Sequence, residues 1–271
     1  MLNDITLGQY IPSNSLIHRL DPRTKIIGLL LYISGIFIVE SYLAYAFLGA
    51  FGITVVKLSE VPLKMILKSL KPLWFIVLFT ALIHLFVTPG TPIMTVGSFT
   101  MTWEGLDQGL LMGIRLLLLM SFATLLTYTT SPIALTDAIE RLLKPLSRFG
   151  VPAHELAMMM TIALRFIPTL IDETDRIMKA QRSRGADFSS GSLLRRVRCL
   201  IPLLVPLFIS AFRRADELAV AMEARCYRGG DHRTRMRTLA YTSLDRNAYI
   251  AVFVLLAIII AIRIGKTCYG M

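Results

Sequence analysis

The sequence has little of what chemistry needs. Its three cysteines, Cys199, Cys226 and Cys268, are never in CxxC spacing, which leaves no disulfide framework and no thiolate metal site. Its four histidines, His18, His84, His154 and His232, are scattered, so each reads as a packed or interfacial residue rather than a ligand. There is no HExxH, no GxSxG elbow and no paired-carboxylate site. Gly265-Lys266-Thr267 has the end of a GxxxxGK[ST] phosphate loop, but Ile260 stands where the first glycine is required. No catalytic residue, metal or cofactor is therefore expected, and energy for any process must come from a partner. The first 25 residues have no basic-then-apolar-then-small cleavage pattern, so no removed signal peptide is expected.

Charge is scarce too. Only 17% of the residues are charged while 55% are apolar, and the mean hydropathy is +0.62, too greasy for a soluble domain of 271 residues. The chain reads as an all-α integral membrane protein with about five transmembrane helices plus long cytoplasmic or interfacial helices. Acidic residues are the rarer sign, 18 against 29 Lys and Arg, a net charge of +11. No basic patch is interleaved with aromatics, so nucleic acid is not the expected partner; the anionic face of a lipid bilayer is.

Along the chain, a polar lead with Arg19, Arg23 and Lys25 should stay cytoplasmic. From Ile26 to Val56 the one charge is Glu40, and ~46 Å of helix suits a hairpin of two short spans turning near Glu40-Ser41. Lys64, Lys68 and Lys71 repeat at helical spacing opposite Leu63, Ile66, Leu67 and Leu70, which predicts a connector lying on the anionic inner leaflet. A third span covers Pro72 to Val87. The loop 88–107 has Glu104 and Asp107 but no Lys or Arg, so it should be external. A fourth span runs from about Gln108 to Thr130; its Arg115 should face protein or water or snorkel outward, with snorkelling slightly favoured. Ser131-Pro132 starts a short helix that stops at Lys144-Pro145.

Two apolar segments follow, 156–171 and 199–212. They carry Arg165, Pro168, Pro202 and Pro206 and look too short to span, so they read as kinked helices at the membrane face with polar distal halves in the cytoplasm. Ser192 would cap the second. Met159 and Leu207 lie on these segments and mark a deformable apolar platform. Of the 29 basic residues, 19 fall between 132 and 246, which places this region inside. A last span covers about 248 to 264. The expected domains are 1–131 (four spans), 132–246 (cytoplasmic coupling helices) and 247–271 (a C-terminal span).

The two long segments form a weak repeat. With a shift of 41 residues, Asp175, Ala180, Ser183 and Arg184 fall on Asp216, Ala221, Ala224 and Arg225. Each segment ends in a small residue, an arginine and another small residue: Ser183-Arg184-Gly185 and Ala224-Arg225-Cys226. Small neighbours let a partner approach the backbone, and the guanidinium offers a fork of donors suited to a carboxylate. An ordinary helix C-terminus, with glycine at a left-handed cap and a cation on the negative end of the helix dipole, explains either motif taken singly. It does not require the upstream Asp and Ala to recur.

Gly8-Gln-Tyr-Ile-Pro12, Leu20-Asp-Pro-Arg-Thr-Lys25, Ala163-Leu-Arg-Phe-Ile-Pro168 and the twin motifs together resemble the transmembrane scaffold subunit of energy-coupling factor transporters, the EcfT family, which includes CbiQ-type cobalt-transport subunits. The resemblance covers essentially the whole chain. It implies a non-catalytic, multi-pass subunit in a prokaryotic plasma membrane. Such a subunit binds two ATP-binding-cassette ATPases through the twin motifs and holds a substrate-binding membrane protein, the S-component, for uptake of vitamins or other micronutrients. The family motif is usually Ala-Arg-Gly; here Ser183 replaces Ala in the first copy and Cys226 replaces Gly in the second. A self-sufficient carrier or channel and a dedicated cobalt system remain as alternatives. Only Glu40, His84 and Arg115 could serve an enzyme inside the spans, which is too few.

Overall fold

A computed structural model of the chain describes residues 10–39, 41–96, 99–185, 193–229 and 239–269, with side chains except over 93–96, 99–100, 193–199 and 266–269. The expectations for Glu40, Ser192 and His232, and for the side chains of Cys199 and Cys268, lie outside these. In chain order the helices are α1 (Pro22–Ile38), α2 (Tyr42–Leu58), α3 (Leu63–Leu70) and α4 (Leu73–Val87), then a hairpin of β1 (Pro92–Val96) and β2 (Phe99–Thr102). α5 (Trp103–Thr129), α6 (Pro132–Leu143), a 3-10 turn (Lys144–Phe149), α7 (Ala153–Ser183), α8 (Leu193–Ala224) and α9 (Ser243–Tyr269) follow. Two compact units result: residues 139–238 form one, and 8–138 with 239–271 form the other.

In the second of these, α1 begins at Asp21, whose carboxylate accepts from the Arg23 backbone N–H at 2.9 Å, with Pro22 at the first helical position. α1 packs on α5 and α9, and α2 on both as well. The core is Tyr32, Ile36, Leu48 and Ile259, all essentially fully buried. Tyr32 stacks on Phe122 with ring centroids 3.6 Å apart, and its hydroxyl donates to the Leu48 carbonyl at 3.1 Å, so the aromatic packs without leaving a polar atom dry. At one end of the unit three segments are pinned together. The Asp21 N–H donates to Asp245 Oδ1 at 2.8 Å, Thr242 donates twice to Asp245 Oδ2, and Lys25 Nζ donates to the Thr129 carbonyl at 2.8 Å. Asp245 thus caps α9, which starts at Ser243, earlier than the apolar run alone suggests.

Arg115 does not snorkel. Its Nε donates to the Tyr45 hydroxyl at 3.0 Å and its Nη2 to the Val39 carbonyl at 3.2 Å, so the guanidinium closes off the end of α1 from within the protein. α4 meets α5 along Gly105, Gly109 and Gly113, one glycine every fourth residue. A Cβ on Gly105 would lie 2.5 Å from the His84 carbonyl oxygen, and one on Gly109 3.2 Å from the Ala81 backbone. The missing side chains let two backbones touch, the small-xxx-small packing of membrane helices. Thr102 secures the same corner. Its hydroxyl donates to the Thr88 carbonyl at 2.8 Å and accepts from the Gly105 N–H at 3.1 Å. α5 therefore starts at Trp103, and Glu104 and Asp107 sit in its first turns rather than in a loop.

Among the described residues, three helices are long and apolar enough to cross a membrane: Trp103–Thr129, Ala153–Ser183 and Ser243–Gly265. α3 and α4, bent by 53°, count as a fourth if they make one broken span. α2 is apolar but shorter. α7 differs from the expectation of a segment too short to span. Pro168 is carried inside a continuous 31-residue helix, and the hydroxyls of Thr161 and Thr174 donate to the carbonyls four residues back, at 2.8 and 2.6 Å, so these two hydroxyls are satisfied within the helix.

Candidate functional site

The twin motifs sit at the ends of α7 and α8, and the repeat extends to their hydrogen bonds. In the first, the Arg184 N–H donates to the Gln181 carbonyl at 3.1 Å and the Gly185 N–H to the Arg182 carbonyl at 3.0 Å. In the second, Arg225 donates to Met222 at 3.1 Å and Cys226 to Glu223 at 2.8 Å. Each bond spans three residues, and all four donors and acceptors match under the shift of 41. Both chains then turn left-handed: φ is +86° at Gly185 and +55° at Cys226. A glycine does this freely, whereas for a cysteine the clash of its Cβ costs about 1 kcal/mol. The departure from glycine in the second motif is thus a local strain rather than a change of shape.

Left-handed capping and presentation of the arginine are one arrangement, not rival explanations. The cap ends the helix abruptly and leaves the preceding side chain at the tip. Ser183, Arg184, Gly185, Ala224, Arg225 and Cys226 are all exposed. Among the described residues neither Arg184 nor Arg225 makes an ion pair. The Ser183 hydroxyl is turned back onto the Lys179 carbonyl at 3.2 Å and behaves as a small, self-satisfied residue in the place of alanine.

A family model described as "Cobalt transport protein", CbiQ, matches residues 13–236. The chain belongs to the CbiQ family. Relatives named "Energy-coupling factor transporter transmembrane protein EcfT" include one from Acidaminococcus fermentans, 57% identical over 95% of this chain and 97% of its own. Another from Bacillus subtilis is 49% identical over 97% and 100%, and one from Streptococcus thermophilus 46% over 94% and 97%. The chain is therefore an EcfT-type transmembrane component of an energy-coupling factor transporter, a membrane protein of transport rather than a chain named for catalysis.

For a CbiQ family member, the two remaining site residues have distinct surroundings. Met159 on α7 is 56% exposed, whereas Leu207 on α8 is half-buried. Around Leu207 it is Leu204, Phe208 and Phe212, four residues apart, that stand out from the helix, so the exposed apolar stripe of α8 runs along the face beside Leu207 rather than through it. No group of three His, Cys, Asp or Glu is gathered among the described residues.

Sequence reasoning missed what anchors the second tip. Tyr227, directly after the motif, turns its N–H back to the Met222 carbonyl at 3.0 Å and puts its hydroxyl 3.3 Å from His154 Nε2 and 2.9 Å from Met158 Sδ. His154 Nδ1 in turn lies 3.0 Å from Glu140 on α6. The base of α7 thereby holds the exit of α8. Partners 73 residues apart leave no periodic signal, and the histidine alone reads as an ordinary packed residue.

Proposed function

We propose that the chain is the coupling subunit of its transporter: it docks two ATP-binding-cassette ATPases through Arg184 and Arg225 and holds a substrate-binding S-component on the apolar faces of α7 and α8. The observation that supports this reading is the pair of matching helix ends, each with the same capping bonds, the same left-handed turn and an exposed arginine that makes no ion pair among the described residues. Two equal tips on one chain suit two equal grooves on a pair of ATPases. A guanidinium entering such a groove meets a carboxylate with two parallel hydrogen bonds, which fixes direction as well as affinity. A stiff helix behind each tip delivers the force of ATPase closure to its other end.

In this reading the membrane domains are 1–131, with four spans, and 247–271, with one; 132–246 lies with the N-terminus on the cytoplasmic side, and the hairpin after α4 is external. α7 then rests its apolar half against the membrane although it has the length and composition of a span. The basic residues crowded between 132 and 246 support this orientation in a prokaryotic plasma membrane. Met159 and Leu207 mark the platform for the S-component, which selects the cargo among vitamins and other micronutrients. The family model's description favours cobalt ion as the cargo of a second reading, in which the same scaffold serves one dedicated partner. The chain itself binds no cofactor and hydrolyses nothing.

Purification of the tagged chain from its native membranes in mild detergent tests the reading. Two ATPases and an S-component are expected to accompany it, with ATP hydrolysis by the complex and none by the chain alone. Hydrolysis by the purified chain, or its recovery as a lone carrier that transports without ATPases, contradicts it.

A further inference from the structure

The ion pair between α7 and α8 falls where the repeat itself has its centre. Arg214 Nη2 lies 3.3 Å from Glu173 Oε2, and the two residues are 41 apart, the same shift that superposes the twin motifs. Equivalent residues of two repeats face each other only where a local two-fold axis passes between them, as at the centre of a symmetric dimer. The sense of the helices agrees. Tyr227, just past the end of α8, reaches His154 and Met158 at the start of α7, while Arg214 meets Glu173 further along, so the helices run antiparallel through this contact. Arg184 stands eleven residues beyond Glu173 and Arg225 eleven beyond Arg214. Each tip is therefore about 16 Å of helix from the pair, one on either side of it.

The departure from the repeat at this position has a physical reason. Residues on a two-fold axis meet their own equivalents, and two like charges there would repel; a glutamate in one copy and an arginine in the other turn that repulsion into an ion pair. Arg214 is also held from its own helix, its Nε 3.5 Å from Ser210 Oγ. With 28% of the glutamate side chain and 32% of the arginine exposed, the pair is partly shielded from water and still open enough to re-form as the helices change angle.

We propose that Glu173 and Arg214 are positioning residues that form the fulcrum of the α7–α8 pair. They set the angle between the helices and thus the spacing of the two arginine tips, so that closure of one ATPase is felt at both. This rests on the docking role proposed above. It adds that the tips are not independent plugs but opposite arms of one lever that crosses at this ion pair, with the arm of α8 tied at its exit by Tyr227 to His154 and Met158.

The test has two arms. Spin labels at Lys179 and Val220, exposed and themselves equivalent under the repeat, report the spacing of the arms in lipid nanodiscs without ATPases, in a chain whose native cysteines are replaced. Uptake and ATPase co-purification are measured for the same variants in the full complex. Glu173→Gln and Arg214→Gln should each widen or shift the distance distribution. Uptake should fall about threefold with the ATPases still bound, because only a partly exposed ion pair is lost. The double exchange Glu173→Arg with Arg214→Glu should restore both readouts, which a merely disrupted fold would not allow. Unchanged spacing in the single variants, or an exchange no better than the singles, overturns the fulcrum. A wild-type chain that brings no ATPases with it sinks the docking reading instead, while the spin-label arm still decides on the pair.

Discussion

The two units of this chain differ in how far their large side chains pack on one another. In one, where α1, α2, α5 and α9 meet, large side chains are interlocked, with Tyr32, Ile36 and Leu48 at 0% exposed and Ile259 at 1%, while outward residues such as Phe37 and Trp74 stay exposed. In the other, the two longest helices of the molecule bury almost nothing. α7 buries only Ala153 and Ala157, and among the described side chains of α8 only Leu203 is buried, while Met159, Met160, Phe208 and Phe212 stand out. A region that holds itself together tolerates little change, whereas one whose surface is left open depends on whatever covers it. Substitutions in the first should therefore show as lost folding, and in the second as lost partnership with folding kept.

The sharpest way to break the first region is to add a Cβ where two backbones touch. Gly105→Ala forces its new carbon against the His84 carbonyl, and α4 must move away from α5; we expect a loss of about 1–3 kcal/mol or more and poor yield of folded chain. Gly109→Ala meets Ala81 at 3.2 Å and should cost less. Thermal unfolding in detergent reads both, and a Gly105→Ala protein as stable as wild type would refute the close approach.

Next comes Arg115→Ala, which takes the guanidinium from the Val39 carbonyl and the Tyr45 hydroxyl at the end of α1 and leaves them only their own long contact, the Tyr45 O–H to the Val39 carbonyl at 3.5 Å. A loss of about 1–3 kcal/mol is expected for unsatisfied polar groups away from water. Raised stability in the same assay would instead mean that burying the guanidinium charge costs more than its hydrogen bonds contribute.

The second region should answer to finer changes. Cys226→Gly removes the Cβ from a left-handed residue and restores the usual third position of the motif. Exchange of the Cys226 and Tyr227 amides, bonded to Glu223 and Met222, should slow by up to about fivefold, the equivalent of roughly 1 kcal/mol. Faster exchange would contradict the strain.

The smallest effect belongs to the lead. Burial holds the His18 imidazole below its ordinary pKa of 6.5, helped by the nearby Lys25 charge and opposed by the Ile11 carbonyl at 3.0 Å and by Glu60. The unfolded lead then binds the proton more readily than the folded one, so this contribution is intact above pH 6.5 and is lost as pH falls below it. Limited proteolysis within residues 10–20 should accelerate between pH 7 and about pH 5, and His18→Gln should flatten that dependence. Acceleration on raising the pH would reverse the sign of the shift.

How much of this was readable in the chain follows the same division. The α1–α2 hairpin, the lysine face of α3 and the Ser131-Pro132 start of α6 were legible because their signals are local: charge spacing, a capping residue, a proline. The β1–β2 hairpin was not, since two short strands between apolar spans leave no period long enough to read. The glycine face of α5 carries a plain four-residue spacing but reads as weak helix until a facing backbone is known. For the site, the repeat of 41 gave both tips and even contained the Glu173–Arg214 contact. That residues at that spacing touch, however, depends on how the helices run together, which no single-helix pattern encodes. The Tyr227–His154 anchor depends on the same thing.

The central claim is that Arg184 and Arg225 are docking joints, and the most direct measurement is ATPase co-purification with uptake for Arg184→Ala, Arg225→Ala and the double variant. If the proposed docking holds, each single loss leaves one carboxylate unpaired in an ATPase groove, at a cost of about 3–5 kcal/mol for a desolvated pair and far less at a wet rim. The account predicts weakened complexes for the singles, no coupled uptake and no recovered ATPases for the double, and unchanged membrane insertion throughout. Wild-type uptake and wild-type ATPase recovery in the double variant would contradict it and leave the two arginines as helix caps.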